Sequence, residues 1–163
     1  MKLLITDIEN FDIPHGDDYK LIKANGDIRN CIGCFGCWVK TPGKCVINDG
    51  FDRTGIDLGK CTELILVSRC CYGSTSPAVK MIQDRAISYI HPDFVIRNGE
   101  MHHKRRYDNV ITVSAYFYGD DITEAEKETA GNLIQSIVDN YDGKLGNVAF
   151  YKSAEELKAE VTL

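Results

Sequence analysis

Cys31-Ile-Gly-Cys34-Phe-Gly-Cys37-Trp38-Val-Lys-Thr-Pro-Gly-Lys-Cys45 contains four of the seven cysteines in this 163-residue chain and its only tryptophan. The spacing is C-x-x-C-x-x-C-W, followed by a Pro-Gly turn and a fourth cysteine. A glycine before the second and the third cysteine permits tight local turns. So many thiols in one short segment are unusual for a hydrophobic core. The segment is therefore expected to hold a metal, to carry out redox chemistry, or to shape a loop beside a bound cofactor.

The length of 163 residues and a hydrophobic fraction of 44% predict one compact domain over residues 1–163. A formal net charge of −5 argues against a nucleic-acid partner. The first residues are too short for a signal-peptide core, and no apolar run is long enough for a membrane span. These features predict a cytoplasmic protein that does not bind membranes. In that compartment the cysteines are expected to be reduced thiols or ligands instead of a disulfide framework.

Short apolar runs predict five buried strands, because strands covered on both faces are nearly continuous in apolar residues. The predicted strands are residues 3–5, 19–24, 63–68, 110–113 and 148–150.

Capping signals predict the helices between these strands. Ser76 and Pro77 suit the start of a helix, whose apolar spacing continues to Ile90 and which Pro92 is expected to end. Thr123-x-x-Glu126 and Ser153-x-x-Glu156 have the form of capping boxes. A weak helix is expected within residues 51–60, residues 94–108 read as a polar excursion, and Gly143 and Gly146 are expected to break the chain.

Alternating strands and helices predict an α/β sandwich around a parallel sheet. In such folds ligands bind at the carboxyl ends of the strands, where the strand order reverses. Two loops with unusual chemistry follow predicted strands. One is the cysteine segment, and the other is Ser68-Arg-Cys-Cys-Tyr-Gly-Ser-Thr-Ser76.

The cysteine segment, extended to Cys45-Val-Ile-x-Asp49, resembles the NADPH-dependent FMN reductases of the flavodoxin-like superfamily. Three later stretches are similar to that family in the same order. They are Ser68-x-x-x-Tyr72-Gly73-x-x-Ser76, Gln83-Asp84-Arg85, and Gly99-Glu-Met-His-His-Lys-x-Arg-Tyr-Asp108.

The resemblance implies a flavodoxin-like three-layer sandwich with a five-stranded, mainly parallel sheet and a homodimer. It also implies FMN at the strand ends and NAD(P)H as co-substrate, so that the chain would be an FMN-dependent NAD(P)H oxidoreductase with an unidentified small-molecule electron acceptor. No catalytic side chain is implied, because the flavin carries the chemistry. The residues implied to embrace the isoalloxazine ring are Ser68, Arg69, Cys70, Cys71, Tyr72, Gly73 and Ser76.

The N-terminal region departs from the family, whose members carry a phosphate-binding loop and a full helix after the first strand. Here only the ten residues Glu9 to Asp18 are available, and they are acidic. A helical crossover between parallel strands needs about a dozen residues or more. The first crossover helix and the phosphate cradle are therefore expected to be truncated. An alternative is a flavin-deficient or partner-completed flavodoxin-like protein without independent activity.

The four cysteines of the segment leave further alternatives open. Iron–sulfur flavoproteins of the same superfamily carry a compact cysteine motif here, which would make Cys31, Cys34, Cys37 and Cys45 ligands of a [4Fe–4S] cluster in an electron carrier. Zinc would prefer two separated pairs. The favoured interpretation is a metal-free loop that forms one wall of the ligand cleft and a subunit contact.

The run His102-His-Lys-Arg-Arg106 is most simply a solvated surface loop. The sharper hypothesis is a phosphate-binding patch, for NADPH or for the FMN phosphate of a partner subunit, which would replace the missing helix terminus.

Overall fold

A computed structural model describes residues 1–12, 18–24 and 27–161. Its centre is a sheet of five parallel strands: β1 (Lys2–Thr6), β2 (Tyr19–Lys23), β3 (Glu63–Cys71), β7 (Thr112–Tyr118) and β8 (Lys144–Tyr151). The strands lie in the order β2-β1-β3-β7-β8, and every neighbouring pair among them is parallel. The predicted α/β class with a five-stranded, mainly parallel sheet is confirmed.

The remaining elements are short apart from one long helix. They are α1 (Gly36–Val39), α2 (Thr54–Leu58), β4 (Ser74–Thr75), α3 (Pro77–Arg85), a 3-10 turn (Ile87–Tyr89), β5 (Ile90–Arg97), β6 (Glu100–Arg105), α4 (Glu124–Tyr141) and α5 (Ala154–Glu160). None of the helices in the described ranges is long and apolar enough to cross a membrane.

The expected helix starts are confirmed by side-chain caps. Ser76 accepts a hydrogen bond from the backbone of Val79 at the start of α3. Thr123 and Glu126 form a complete capping box at the start of α4. Ser153 caps α5 by accepting from the Glu156 amide. Each cap satisfies an amide that has no partner within its own helix.

Alternate residues of each strand enter two separate cores, because successive side chains point to opposite faces of a sheet. On one face, Leu3 and Leu64 pack with α3 and α4 in the larger core. On the other face, Leu4 and Ile65 pack against Leu157 of α5 in a smaller core. The sheet is thus covered on both faces, which gives three layers.

The connector between β1 and β2 joins two parallel strands, although it spans only residues 7–18. No helix is present in its described residues, 7–12 and 18, and residues 13–17 lie outside the described part of the chain. Ile8 and Phe11, each 7% exposed, fill the smaller core there. Two apolar side chains of an irregular segment therefore cover the sheet next to α5.

Three local predictions are wrong. The helix from Ser76 ends at Arg85 instead of Ile90, and Pro92 lies inside β5. The polar excursion is the β5–β6 hairpin, whose Asn98-Gly99 turn has φ of 52° and 84°. An Asn-Gly pair favours a tight hairpin turn because both positions need positive φ. Gly146 lies within β8 and does not break the chain.

Candidate functional site

The cysteine loop, residues 31–45, is held to helix α3 by the buried side chain of Arg85. Its guanidinium donates to both carboxylate oxygens of Asp49, at 2.8 and 3.0 Å. It also donates to the backbone carbonyls of Arg29 at 2.7 Å and Ile47 at 2.9 Å. The remaining N–H, on Nε, points at the Sγ atom of Cys45 at 3.1 Å. All five guanidinium N–H groups are therefore engaged, and they fix the loop to the domain.

Asp49 is the buried counter-charge of this anchor, with a side chain only 9% exposed. Hydrogen bonds from Arg85 hold the pKa of its carboxyl well below the usual range, and the amides of Arg29 and Phe51 lower it further. Asp49 and Arg85 both belong to the stretches that carry the family resemblance. Their contact explains why these two residue types occur together in this chain.

The loop is joined to the β5–β6 hairpin by aromatic contacts. The Trp38 indole donates to the carbonyl of Ile90 at 3.0 Å. Its ring lies 5.5 Å from that of Phe35 and 5.3 Å from that of His103 on β6. Trp38 therefore joins the cysteine loop to the hairpin through one hydrogen bond and ring packing.

A cavity of about 580 Å³ lies between the cysteine loop, α3, α4 and the hairpin. This volume is in the range of small-molecule sites. Its walls are mainly apolar, and the four loop cysteines all face it. The other lining residues include Phe35, Trp38, Ile87, Ile90, Leu133, Ile137 and Tyr141, with Lys80, Gln83, Asp84, His103 and Asn140 as polar groups. The loop therefore forms one wall of a cleft, as the sequence indicates.

The four thiols differ in exposure. Cys31 and Cys34 are exposed, Cys45 is half-buried and Cys37 is buried. Burial raises the pKa of the Cys37 thiol, and the neighbouring thiols of Cys45, Cys31 and Cys34 raise it further. All seven cysteines are free thiols. The four are thus close enough to influence one another, although no three Cys, His, Asp or Glu side chains within residues 1–12, 18–24 and 27–161 are grouped to hold a metal ion.

The loop expected to embrace a flavin ring is a tight hairpin at the carboxyl end of β3. Strand β3 continues to Cys71, turns at Tyr72-Gly73 with φ of 52° and 73°, and returns as β4. Tyr72 is 93% exposed at the turn, whereas Cys70 is buried. Burial raises the pKa of both adjacent thiols, Cys70 and Cys71. Tyr72 thus lies exposed at the carboxyl end of β3, and its contact with a flavin ring stays a prediction.

Asp7, directly after β1, occupies the centre of this sheet end. Its carboxylate accepts from the Arg69 amide at 3.1 Å and from the Tyr118 hydroxyl at 3.1 Å. The Ser68 hydroxyl lies 3.3 Å from the same carboxylate and accepts from the Ser76 amide at 2.8 Å. The amides that a bound anion would need at Arg69 and Ser76 are therefore already engaged.

An FMN phosphate does not fit the donors that this sheet end offers. Phosphate sites use free backbone N–H groups at a helix N-terminus. Here a carboxylate occupies the corresponding end of β1, and Asp120 and Asp121 are exposed beyond β7. The Asp7 and Asp120 carboxylates would repel a dianionic phosphate, whereas Asp121 is paired with Arg69 at 3.9 Å. The truncated phosphate cradle stays a prediction, because residues 13–17 of the connector lie outside the described part of the chain.

The basic run holds the hairpin against the end of α4. Arg105 forms an ion pair with Asp142 at 2.8 Å and donates to its carbonyl at 2.7 Å. Arg97 donates to the carbonyl of Asp139 at 2.8 Å. Arg106 donates to the carbonyl of Ser88 at 2.8 Å. Cations at a helix C-terminus satisfy its free carbonyls, so Arg105 has a structural use at the end of α4. Arg106 has a structural use at the 3-10 turn, and both uses compete with phosphate binding.

Sequence reasoning missed Asp7, because a single acidic residue after a strand carries no recognisable pattern. Asp49 and Arg85 lie in stretches that resemble the family, but the sequence did not predict that they pair. The signal for that pair was the resemblance itself, since the two residues are 36 positions apart.

Comparison with protein-family models gives no match, and comparison with curated proteins gives no relative of significant similarity.

Proposed function

We propose that this chain is a flavodoxin-like subunit of an FMN-dependent NAD(P)H oxidoreductase that does not hold FMN on its own and needs a second protein to supply the phosphate site. The observation that carries the proposal is a contrast between two features at the carboxyl end of the sheet. The ring-contact hairpin with the exposed Tyr72 is present, while Asp7 stands where a phosphate would need donors.

The strand order supports the flavodoxin-like part of the proposal. Counting the parallel strands alone, the order is 2-1-3-4-5, which is the order of flavodoxin-like folds, whose flavin binds beside the first and third strands. Asp7 directly follows the first of those strands, and Ser68 lies within the carboxyl-terminal half of the third. The four stretches quoted from the sequence resemble the FMN reductases in the same order along the chain. A flavin would supply the redox chemistry, and no acid–base residue of this chain is needed for it.

The phosphate part of the proposal is tested by comparing riboflavin with FMN on the isolated protein. Flavin fluorescence quenching would give both dissociation constants. Because the Asp7 carboxylate engages the Arg69 amide at the described sheet end, the two are expected to agree within about tenfold, or ~1.4 kcal/mol. A colourless preparation agrees with the proposal. Tight stoichiometric FMN binding with a strong preference over riboflavin would refute it.

The role of Asp7 is tested separately with Asp7→Asn. Removing one negative charge from the sheet end is expected to tighten FMN binding by about two- to tenfold. Riboflavin binding is expected to change less, because riboflavin carries no phosphate. Asp12→Asn is the matched control, since Asp12 is an exposed aspartate of the same connector. Equal effects of both substitutions on FMN would mean that Asp7 has no special position.

A second candidate function, an iron–sulfur electron carrier, is favoured by one observation. Cys31, Cys34, Cys37 and Cys45 face the same cavity, and Arg85 donates to the Cys45 sulfur. Anaerobic reconstitution followed by iron and sulfide analysis tests it. A cluster protein would bind about four irons per chain and lose them in Cys34→Ala, whereas Cys71→Ala, outside the cavity, would not matter. Absence of iron after reconstitution would end this candidate.

We also propose a homodimer in the cytoplasm. The seven free thiols suit a reducing compartment. The small-molecule electron acceptor and the choice between NADH and NADPH are left to kinetic measurement.

A further inference from the structure

Three aromatic rings form a row along the cavity between the cysteine loop, α3, α4 and the β5–β6 hairpin. The ring centroids of Phe35 and Trp38 are 5.5 Å apart, and those of Trp38 and His103 are 5.3 Å apart. All three side chains line the cavity, together with Leu133 and Ile137 of α4. Rings at such separations attract one another. A flat aromatic molecule in the cavity would therefore extend this row and meet aliphatic side chains of α4.

His103 offers the cavity one hydrogen-bond acceptor. Its Nδ1 atom lies 2.8 Å from the carbonyl oxygen of His91, and a carbonyl oxygen only accepts, so Nδ1 carries the proton. In the neutral ring the lone pair is then on Nε2. Within the described part of the chain, no group donates to Nε2. A bound molecule with a hydroxyl or N–H group would supply the missing donor.

The cavity favours an uncharged ligand. Lys80 and Asp84, which line it with opposite charges, form an ion pair with each other. Burial raises the pKa of the Cys37 thiol, so this group stays protonated at neutral pH. An ionic ligand would exchange its hydration for mainly apolar walls without gaining a counter-charge, which is costly.

The cavity is separate from the loop predicted to hold a flavin ring. Residues 68–76 are all described, and none of them lines the cavity. Helix α3 starts at the Ser76 cap and contributes Lys80, Gln83 and Asp84 to the cavity. At ~1.5 Å per residue, Asp84 lies about 12 Å along the helix from Ser76. A ligand in the cavity would thus not occupy the β3–β4 hairpin.

We propose that this cavity binds an uncharged, planar aromatic molecule of about two or three rings that donates one hydrogen bond to His103 Nε2. The volume of about 580 Å³ is within the range of sites for such molecules. The site goes beyond the proposed function, because it uses none of the residues assigned to the flavin and involves no redox step.

A matched pair of naphthalenes tests the class of ligand. 2-Naphthol carries a hydroxyl group that is protonated at about pH 7.5, and 2-methoxynaphthalene has the same rings without the donor. Isothermal titration calorimetry is expected to give a dissociation constant of about 10–100 µM for 2-naphthol and one about five- to tenfold weaker for the ether. Absence of 2-naphthol binding up to its solubility limit would overturn the proposal, and equal binding of both probes would overturn the role of His103.

His103→Phe tests the acceptor, because it keeps an aromatic ring beside Trp38 and removes Nε2. This variant is expected to bind the two naphthalenes equally, within about twofold. His102→Phe is the matched control, since His102 Nε2 is engaged by Glu100 and His102 does not line the cavity. Thermal unfolding would verify that both variants are folded. A preference for 2-naphthol that survives in folded His103→Phe would contradict the assigned hydrogen bond.

Leu133→Trp tests the position of the ligand by filling the cavity from α4. Both naphthalenes are expected to bind at least about tenfold more weakly, because the added indole occupies their space. Gln135→Trp is the control, since Gln135 is exposed on the same helix and does not line the cavity. Binding that Leu133→Trp leaves unchanged would place the probes elsewhere and overturn the site.

Trp38 supplies a readout that needs no substitution. It is the only tryptophan of the chain, so its indole N–H gives one signal in a proton–nitrogen correlation spectrum. 2-Naphthol is expected to shift that signal, and saturating riboflavin is expected to leave 2-naphthol binding unchanged. Competition by riboflavin would overturn the separation of the two sites. The separate comparison of riboflavin with FMN would still decide the flavin proposal.

Discussion

The cysteine loop and the carboxyl end of the sheet are both organised by one charged side chain, but the two charges have opposite signs and opposite consequences. Arg85 binds the backbone carbonyls of Arg29 and Ile47 together with the Asp49 carboxylate. Asp7 binds the Arg69 amide and the Tyr118 hydroxyl. Arg85 occupies hydrogen-bond acceptors at the base of the loop, whereas Asp7 occupies hydrogen-bond donors at the sheet end.

This difference determines what each region offers to a ligand. Arg85 binds the base of the loop from helix α3. The thiols and apolar side chains of the loop are therefore left facing a cavity. Asp7 lies at the sheet end itself, so the Arg69 amide and the Tyr118 hydroxyl there already donate to its carboxylate. A fold that usually binds ligands at the strand ends thus also carries a cavity of about 580 Å³ on the helical side, between α3, α4 and the cysteine loop.

The largest expected effect comes from removing the loop anchor. Arg85→Leu would leave the Asp49 carboxylate buried without its partner, which costs about 3–5 kcal/mol for a buried pair. The free energy of unfolding, measured with urea, is expected to fall by that amount. Trp38 fluorescence would report whether the loop separates from the hairpin before the sheet unfolds.

Lys80 provides the matched control on the same helix. It pairs with Asp84, and both side chains are 47% exposed. Lys80→Leu is therefore expected to change stability by less than about 1 kcal/mol. A similar small effect of Arg85→Leu would mean that the five hydrogen bonds do not anchor the loop.

A smaller effect is expected at the sheet-end hairpin. Gly73 has φ of +73°, and a methyl group there would lie 2.6 Å from Thr129 Cβ and 3.0 Å from the Glu126 carbonyl oxygen. Gly73→Ala is expected to cost about 2–3 kcal/mol, because the backbone strain of ~1–2 kcal/mol adds to a clash with α4. Urea unfolding would measure it.

Gly33 in the cysteine loop separates these two contributions. Its φ is +64°, but nothing lies within 4 Å of the position of an added methyl group. Gly33→Ala should show only the backbone strain, about 1–2 kcal/mol. Equal losses of unfolding free energy in Gly73→Ala and Gly33→Ala would show that the β3–β4 hairpin is not packed tightly against α4.

The sequence predicts the sheet and the helix starts well, because both depend on local chemistry. The apolar runs around Leu3, Leu64 and Val113 are needed to bury strands on both faces, and each is a strand. Ser76 and Thr123 are helix caps because their side chains bond amides three residues ahead. Such contacts span a few residues and are visible as patterns.

The sequence fails where tertiary contacts decide. Ile87, Tyr89 and Ile90 continue the helical spacing of α3, yet they belong to a 3-10 turn and a strand. A short apolar pattern fits several structures until its neighbours are known.

In the candidate site, too, local patterns are predictable from the sequence and long-range contacts are not. The cysteine loop is predicted as one wall of the ligand cleft. It lines a cavity between α3, α4 and the β5–β6 hairpin, and its part in a ligand cleft stays a prediction. Its anchor, Arg85 with Asp49, and the role of Asp7 depend on residues that are distant in the chain. Asp7 and Tyr118 are 111 positions apart, and no local pattern joins them.

The smallest predicted effect tests the anionic character of the sheet end. The pKa of Tyr118 is raised from its ordinary value by burial, then by the negative charge of Asp7 and by the hydrogen bond to it. Asp7→Asn removes the charge, so the phenolate becomes less unfavourable and the pKa of Tyr118 is expected to fall. Burial persists, so the pKa should stay above that of an exposed tyrosine. Ultraviolet pH titration measures the change.

Eight tyrosines contribute to that titration, so the assignment needs a second background. Asp7→Asn alone should shift the titration of one phenol to lower pH. When Tyr118→Phe is also present, Asp7→Asn should shift no phenol. Asp12→Asn should leave the curve unchanged, because Asp12 is exposed to solvent. An unchanged curve in Asp7→Asn would mean that the Asp7 carboxylate is not charged against Tyr118. The sheet end would then lack the negative potential that separates it from the cysteine loop, and the reason for excluding a phosphate there would be lost.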